Sequence, residues 1–325
     1  MTYRIISFDG GGVRGVYSAV LLSRICKEIP ELISQTELFA GTSTGGIIAL
    51  GLAAGMTANA LVDLYSNNAS KIFAESLAQD FREAREIELP ILHVTLLGPK
   101  YDNRALERIL REQFNSTRLK DLPKRVLVPS FQLDNRSGDP SMRRWKAKFF
   151  HNFPGGDSDN EESVVDVAMR TAAPPIYFPT YDGYIDGGVV ANDPSVAALV
   201  QALKFASVQT GDIRLFSLGS GTRPEYILGQ ELYWGAGRWA KYLLDIMIDG
   251  VMGVAEFQCR QLLGDKRYFR LSPPLPESVS LDDSSKVDAL IAWASGVQSG
   301  AQVEKAVTWL RENFLEPARP DNSRT

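Results

Sequence analysis

The 325-residue chain has little cysteine, and it lacks the features of a secreted or metal-binding protein. Its two cysteines, Cys26 and Cys259, lie far apart, and neither stands at a spacing typical of metal ligands. The first apolar segment begins at Tyr3 and does not have the pattern of a signal peptide, so no secretion signal is expected. We therefore expect a cytoplasmic protein that holds no metal and uses no cofactor.

An excess of positive charge and long apolar runs are also missing. The 35 Lys and Arg residues are outnumbered by 39 Asp and Glu residues, which gives a formal net charge of -4. This balance argues against a nucleic-acid polymer as partner and provides no general attraction to anionic membranes. The apolar run from Ile47 to Met56 has about ten residues, half of what a transmembrane helix requires. Any membrane contact is therefore expected to be peripheral and local.

No repeat, low-complexity segment or linker divides the chain, so residues 1–325 are predicted to form one domain. Apolar runs that alternate with helical patterns predict an α/β layered sheet. The predicted strands lie near residues 3–8, 36–40, 125–132, 145–151, 183–186 and 212–218. Residues 57–120 are predicted to be mostly helical, and residues 238–315 are predicted to be helical around a short strand at 267–271.

The segment Gly41-Thr42-Ser43-Thr44-Gly45 places a serine between two glycines, where an apolar strand at 38–40 meets an apolar helix at 47–52. This G-x-S-x-G pattern is typical of a nucleophile elbow. There the serine adopts a strained conformation at a helix N-terminus, and small neighbours let a substrate carbonyl approach. The pattern alone leaves a plain strand-to-helix turn as an alternative.

A second glycine-rich turn, Asp9-Gly10-Gly11-Gly12-Val13-Arg14-Gly15, joins a buried strand to an apolar helix. Backbone N–H groups of such a loop point at an anion or oxyanion above it. Its glycines also fit the dinucleotide fingerprint, which needs an acid about 20 residues on, at the end of the next strand. Here that strand runs into Ser43, and Glu31 and Glu37 lie before it or at its start. A nucleotide cofactor is therefore not expected.

A third motif, Tyr184-Ile185-Asp186-Gly187-Gly188, ends a short strand with an acid and two glycines. Alone it would be an ordinary Asp-Gly turn, but beside the other two motifs it completes the nucleophile, oxyanion donors and base of acyl transfer. The two histidines, His93 and His151, both precede Asp186, so the Ser, Asp, His order of an α/β-hydrolase cannot form. A dyad in which Asp186 accepts the proton of Ser43 is the economical arrangement, and both histidines are expected to be structural.

In order and spacing, the three motifs resemble those of the patatin-like phospholipases. Residues 171–179 and 98–101 also match segments of that family, and the resemblance is specific from about residue 4 to about residue 195. It is looser at about residues 220–320, where Tyr268-Phe269-Arg270 and Leu281-Asp282-Asp283 are similar. The resemblance implies a three-layer α/β/α sheet with a helical insertion and a helical C-terminal region.

The resemblance also implies a serine esterase that releases fatty acyl groups from membrane lipids through a Ser-Asp dyad without a metal. Carried onto this chain, it makes Ser43 the nucleophile and Asp186 the base. The oxyanion donors come from the loop that contains Gly10, Gly11, Gly12 and Gly15, chiefly from Gly11 and Gly12, and Arg14 steadies the loop or the charge of the substrate. Phospholipids or lysophospholipids at a membrane surface are the implied substrates.

Two alternatives stay open. Some bacterial patatin-like proteins of similar length are switched on by a cyclic nucleotide in antiviral defence, so this chain is alternatively a nucleotide-activated, membrane-degrading effector with the same site. The sequence contains no nucleotide motif that would establish this. The other alternative is a non-catalytic lipid-binding scaffold, against which the intact Ser43 and Asp186 argue.

Three further segments depend on packing for their interpretation. Residues 234–252 are rich in aromatic and soft apolar side chains and are expected to pack in the core, with an interfacial or acyl-chain-lining helix as the alternative. The strand at 142–150 carries Arg144, Lys146 and Lys148 on one face, which is expected to be solvated, with a basic patch for lipid phosphates as the alternative. The acidic residues of 157–162 are expected to complement the dipole of the helix that follows.

Overall fold

The computed structural model describes residues 2–74, 98–222, 224–229 and 233–315, and a seven-stranded sheet runs through it. The strands are β1 (Tyr3–Phe8), β2 (Leu38–Gly41), β3 (Arg125–Gln132), β4 (Lys146–His151), β5 (Tyr184–Asp186), β6 (Ile213–Leu218) and β7 (Tyr268–Leu271). The α-helices in the described ranges are α1 (Gly15–Glu28), α2 (Leu32–Gln35), α3 (Thr44–Ala53), α4 (Ala58–Ile72), α5 (Arg104–Phe114), α6 (Val164–Thr171), α7 (Gly188–Ala191), α8 (Ser195–Phe205), α9 (Ala236–Leu263), α10 (Val287–Ser295) and α11 (Val297–Trp309).

The strand order is β4-β3-β2-β1-β6-β7, and β5 also pairs with β3. The five strands from β3 to β7 in this order are parallel, whereas β4 and β5 are antiparallel to β3. Each strand predicted from the sequence is present, with boundaries that differ by no more than two residues. The prediction worked because parallel strands that are covered on both faces are nearly continuous apolar runs.

Alternate residues of the parallel strands enter two separate cores. Ile6 and Phe8 of β1 pack with Phe39 in a large core that also contains α1, α3, α4, α10 and α11. Ile5 and Leu38 point the other way, into a smaller core with α8 and the C-terminal half of α9. The sheet therefore lies between two helical layers, which confirms the predicted three-layer α/β/α fold.

The predicted helical insertion, residues 57–120, contains α4 and α5. The side chain of Thr57 caps α4 by accepting a 3.1 Å hydrogen bond from the backbone N–H of Ala60. Residues 75–97 of the insertion, including His93, lie outside the described residues. The predicted helical C-terminal region is present as α9, α10 and α11, and β7 within it extends the sheet beside β6.

The acidic residues of 157–162, which were expected to complement the dipole of the following helix, form ion pairs with basic side chains. The pairs are Asp157 with Lys204, Asp159 with Lys148, Glu161 with Arg118 and Lys120, and Glu162 with Arg170. Lys148 is therefore a half-buried partner of Asp159 rather than part of a solvated face. Arg144 and Lys146 are exposed, as expected for a solvated face.

Candidate active site

Strand β3 brings the serine and aspartate motifs together because three strands pair with it. β4 pairs with one edge along residues 127–132. β2 pairs with residues 125–127 and β5 with residues 130–132, so these two strands follow each other along the other edge. β5 runs antiparallel, and its last residue, Asp186, lies opposite Ser130 on the side nearest the end of β2. The turn after β2, which carries Ser43, therefore meets Asp186.

Ser43 has the backbone conformation of a tight elbow. Its φ of 55° and ψ of -123° are strained for a residue with a side chain. A Cβ at Gly41 would lie 2.0 Å from the carbonyl oxygen of Gly45, and one at Gly45 would lie 2.4 Å from that of Phe8, so both positions require glycine. The elbow predicted for this segment is thus present in the backbone.

Two threonines connect the elbow to its surroundings. The backbone N–H of Ser43 donates to Oγ1 of Thr171 at 2.9 Å, and that hydroxyl donates to the carbonyl of Pro129 at 2.5 Å. The hydroxyl of Thr42 donates to the carbonyl of Ala191 at 2.6 Å. The sequence interpretation gave Thr171 no role of its own. Its place at the head of the family-like segment 171–179 was the only signal.

Ser43 and Asp186 are joined directly. Oγ of Ser43 donates to Oδ2 of Asp186 at 2.7 Å, and the backbone N–H of Gly188 donates to Oδ1 at 2.7 Å. Burial raises the pKa of Asp186 to about 6, although both hydrogen bonds favour its ionised form. A Cβ at Gly187 would lie 2.3 Å from the carbonyl oxygen of Pro129, so this turn fits closely against β3.

The glycine loop lies beside this pair, and two of its four glycine N–H groups already have acceptors within the protein. The N–H of Gly10 donates to the carbonyl of Asn192, and that of Gly15 donates to the carbonyls of Gly12 and Val13. In the described parts of the chain, no acceptor takes the N–H of Gly11 or Gly12. The predicted set of donors is therefore reduced to these two, which line the pocket together with Ser43.

The remaining members of the loop hold its shape. Gly12 has a φ of +57°, and a Cβ there would lie 2.1 Å from the carbonyl oxygen of Leu281. That carbonyl accepts a 2.7 Å hydrogen bond from the N–H of Val13. The buried Arg14 donates through Nε to the carbonyl of Gly11 at 3.3 Å. Gly15 packs against Thr44, whose hydroxyl oxygen would lie 2.0 Å from a Cβ at Gly15.

A buried ion-pair cluster behind the loop was missed at the sequence level. The guanidinium of Arg270 donates to Asp9, which begins the loop, at 2.5 Å, and to Asp193, which follows α7, at 3.0 Å. Glu256 of α9 lies 3.3 Å from Nε of Arg270. Burial raises the pKa of Asp9, and the positive charge of Arg270 opposes that shift. The similarity of Tyr268-Phe269-Arg270 to the family was the only signal for this cluster.

Two other family-like segments meet near the loop. Asp282 accepts a hydrogen bond from the hydroxyl of Tyr101 at 2.6 Å and pairs with Lys100. Leu281, beside it, both lines the pocket and accepts the hydrogen bond from Val13. Residues 98–101 and 281–283 thus support the glycine loop from outside.

Ser43 and Asp186 open into an apolar pocket. The apolar side chains that line it are Ile47, Tyr65, Ala69, Ile72, Phe73, Leu106, Ala172, Pro174, Pro175, Tyr177, Phe178, Val189, Leu244, Ile248 and Leu281. Leu244 and Ile248 belong to α9, whereas their neighbours Leu243 and Met247 are each 50% exposed. Core packing was therefore the wrong expectation for residues 234–252, since part of this segment lines the pocket and part faces solvent.

Residues 6–199 of the chain match the family described as patatin-like phospholipase. The chain belongs to this family. It is 32% identical over 298 residues to a cGAMP-activated phospholipase of Pseudomonas aeruginosa. That alignment covers 89% of this chain and 82% of the other protein. It is 31% identical over 324 residues to Protein teg of Priestia megaterium (90% and 94%), and 29% identical over 353 residues to a cGAMP-activated phospholipase of Vibrio cholerae (97% and 95%).

As a patatin-like phospholipase, the chain is a lipid acyl hydrolase, and an apolar pocket at a buried serine suits that activity. His151 does not line the pocket; it packs against the rings of Phe153 and Phe205, and burial lowers its pKa.

Within the described ranges, no group of three or more His, Cys, Asp or Glu side chains could hold a metal ion. Of the helices in the described part of the chain, none has the length and apolarity needed to cross a bilayer.

Proposed function

We propose that this patatin-like phospholipase is a metal-independent serine esterase, with Ser43 as the nucleophile and Asp186 as the base, that acts on phospholipids or lysophospholipids. The observation that carries the proposal is the 2.7 Å hydrogen bond from Oγ of Ser43 to Oδ2 of Asp186. A buried carboxylate in contact with a strained serine can accept its proton directly. No step requires a histidine or a metal.

In the first half of the reaction, Oγ of Ser43 attacks the ester carbonyl carbon while its proton passes to Asp186. The carbonyl oxygen becomes an oxyanion, which accepts hydrogen bonds from the N–H groups of Gly11 and Gly12. Collapse of this intermediate breaks the ester bond. The leaving alcohol takes the proton from Asp186, and the acyl group stays on Ser43.

In the second half, Asp186 takes a proton from a water molecule, which attacks the acyl carbon. The second oxyanion is held by the same two N–H groups. When it collapses, the fatty acid leaves and Ser43 regains its proton from Asp186. The apolar pocket holds the acyl chain during both halves and excludes bulk water from the reacting atoms.

Phospholipids and lysophospholipids reside in membranes. We therefore place the reaction at a membrane surface, with the protein in peripheral contact with it. Cytoplasmic residence stays a prediction from the sequence. Activation by a nucleotide is a second candidate property. The similarity to two cGAMP-activated phospholipases, at 32% and 29% identity, favours it.

The test is to incubate the purified chain with mixed lipid vesicles and to identify released fatty acids by mass spectrometry. Wild-type protein should release fatty acid in the presence of EDTA, and Ser43→Ala should release none. A fluorophosphonate probe should label wild-type protein but not Ser43→Ala. Absence of labelling in a folded wild-type protein would support the non-catalytic scaffold instead.

A panel of cyclic nucleotides in the same assay separates a constitutive enzyme from a switched one. Low basal release that rises sharply with one nucleotide would establish the activated effector. Fatty-acid release that is the same without nucleotide as with each nucleotide of the panel would leave the hydrolase proposal intact. It would exclude these nucleotides as activators.

A further inference from the structure

Helix α9 has two apolar faces, of which only one is covered by the described residues. Leu244 and Ile248 line the Ser43 pocket, and Cys259 and Leu263, further along, are buried in the smaller core. These four side chains recur at helical spacing on the inner face. Full burial of Cys259 and Leu263 and half-burial of Leu244 and Ile248 attach α9 to the rest of the fold.

The outer face of α9 is defined by Leu243, Ile246, Met247, Val254 and Phe257. These side chains are 50%, 45%, 50%, 55% and 63% exposed. At roughly 100° per residue, all five fall within about 60° of Leu243 around the helix axis. The charged residues Asp245, Asp249 and Glu256 fall roughly 200–240° away, so they interrupt the sequence but not the outer face.

A groove between the outer face and α8 extends this apolar surface. The groove has a volume of about 760 Å³ and is lined from α8 by Val196, Ala197 and Val200. Val200 is 56% exposed. Large contiguous apolar surfaces of this kind mark interaction sites.

Aromatic residues gather at the N-terminal end of the same helix. The ring of Trp234 packs against Trp239 and Tyr242 at centroid distances of 5.2 and 5.4 Å. In the preceding segment, Tyr226 and Tyr233 are 83% and 93% exposed. Trp and Tyr side chains favour the headgroup level of a bilayer, where an apolar ring meets water.

We infer that the outer face of α9 docks on the lipid bilayer that supplies the substrate, with the aromatic cluster at the headgroup level. This inference rests on the proposed function. The outer face is continuous with the site, because one helix carries the pocket-lining Leu244 and Ile248 on its inner face and the exposed apolar row on its outer face. A lipid that leaves the bilayer at this face reaches the pocket along a single helix.

The charge around the outer face specifies the kind of bilayer. Helix α9 contains three acidic residues, Asp245, Asp249 and Glu256, and three basic residues, Arg238, Lys241 and Arg260. The equal numbers of acidic and basic residues give the helix no net attraction to anionic headgroups. Docking is therefore driven by apolar burial, should occur on zwitterionic phosphatidylcholine vesicles, and should change little with salt concentration.

The experiment measures co-sedimentation with phosphatidylcholine vesicles in a Ser43→Ala background, so that the lipid is not consumed. Leu243→Ser combined with Phe257→Ser should lower the vesicle partition coefficient about tenfold or more, because each change removes apolar area that the bilayer would cover. Val297→Ser, at a valine of α11 that is 93% exposed, is the matched control and should leave partition unchanged.

The same double variant with an intact Ser43 should hydrolyse a soluble short-chain ester within about twofold of wild type, because neither residue lines the pocket. This readout also confirms folding. If the serine pair fails, Leu243→Ala with Phe257→Ala is the gentler second variant. Wild-type protein that hydrolyses no soluble ester, either alone or with any cyclic nucleotide of the panel, would refute the proposed function, and vesicle binding is measured independently of it.

Three outcomes would overturn the docking proposal. One is wild-type protein that does not sediment with phosphatidylcholine vesicles. Another is binding that requires anionic lipid and is lost in Arg144→Gln with Lys146→Gln, which would transfer docking to the basic residues at the start of β4 and just before it. The third is a wild-type dimer in light scattering that the double variant converts to a monomer, which would make the outer face a subunit interface.

Discussion

The backbone N–H of Ser43 donates a 2.9 Å hydrogen bond to the hydroxyl of Thr171, which lies 128 residues further along the chain. The hydroxyl passes a second hydrogen bond to the carbonyl of Pro129 on β3. Ser43 needs this support because its φ of 55° is strained. One buried hydroxyl thus connects the elbow, α6 and strand β3.

Thr171→Val should therefore damage both stability and turnover. Valine has nearly the same shape but leaves the N–H of Ser43 and the carbonyl of Pro129 unpaired, which should lower the free energy of unfolding by about 1–3 kcal/mol. A displaced Ser43 should lower kcat on a soluble ester roughly tenfold to a hundredfold. Urea unfolding and steady-state kinetics measure the two effects.

The matched control for that change is Thr36→Val, at a fully buried threonine whose hydroxyl donates to the carbonyl of Leu32 at 2.8 Å. It should lower stability but leave kcat of the folded protein unchanged. Equal kcat for Thr171→Val and wild type would show that the elbow keeps its geometry without the hydroxyl.

The pH dependence of turnover should follow Asp186. Burial raises its pKa to about 6, and a base can accept the Ser43 proton only when it is ionised. Below pH 6 the carboxyl becomes protonated, so kcat/KM on a soluble ester should fall about tenfold for each pH unit, with a plateau above pH 7. A flat profile between pH 5 and pH 8 would contradict Asp186 as the base.

Catalysis should not depend on histidine. His93→Asn combined with His151→Asn should keep turnover within about tenfold of wild type, because His151 packs against phenylalanine rings away from the pocket. Asp186→Asn should lose several orders of magnitude, since an amide cannot accept the proton. If the folded double variant is as inactive as Ser43→Ala while Asp186→Asn still works, the base is a histidine.

Arg270→Met should be strongly destabilising. It leaves the carboxylates of Asp9 and Asp193 buried without their cation, and breaking such a buried pair costs about 3–5 kcal/mol. Arg311→Met is the control, because its pair with Glu28 is 55% and 61% exposed and should contribute less than about 1 kcal/mol. Urea denaturation of both variants gives the comparison. Similar losses for the two would show that the cluster adapts to the missing charge.

Much of the fold could be predicted because its signals are local in sequence. Strands β1, β2 and β3 are covered on both faces, so they appear as short apolar runs, and glycines at fixed offsets reveal the elbow and the loop that follows β1. The absence of a histidine after Asp186 pointed to the dyad by elimination. None of these inferences needs a contact between distant residues.

Contacts across the fold were decided only by the tertiary structure. Arg270 meets Asp9 from 261 residues away, and a buried arginine looks in sequence like any exposed one. The acidic run at 157–162 shows the same problem, because its basic partners come from four separate elements. Sequence spacing carries no information about which charges pair across a fold.

By itself, the sequence determined the family, the layered sheet and the residues offered for acyl transfer, because each depends on short motifs and on the periodicity of apolar residues. Only the tertiary structure decided that Oγ of Ser43 lies 2.7 Å from Oδ2 of Asp186. This contact follows from the pairing of β2 and β5 with the same edge of β3. It also decided which side of α9 is buried. Leu243 and Leu244 are identical side chains in adjacent positions, and only packing against the pocket distinguishes them.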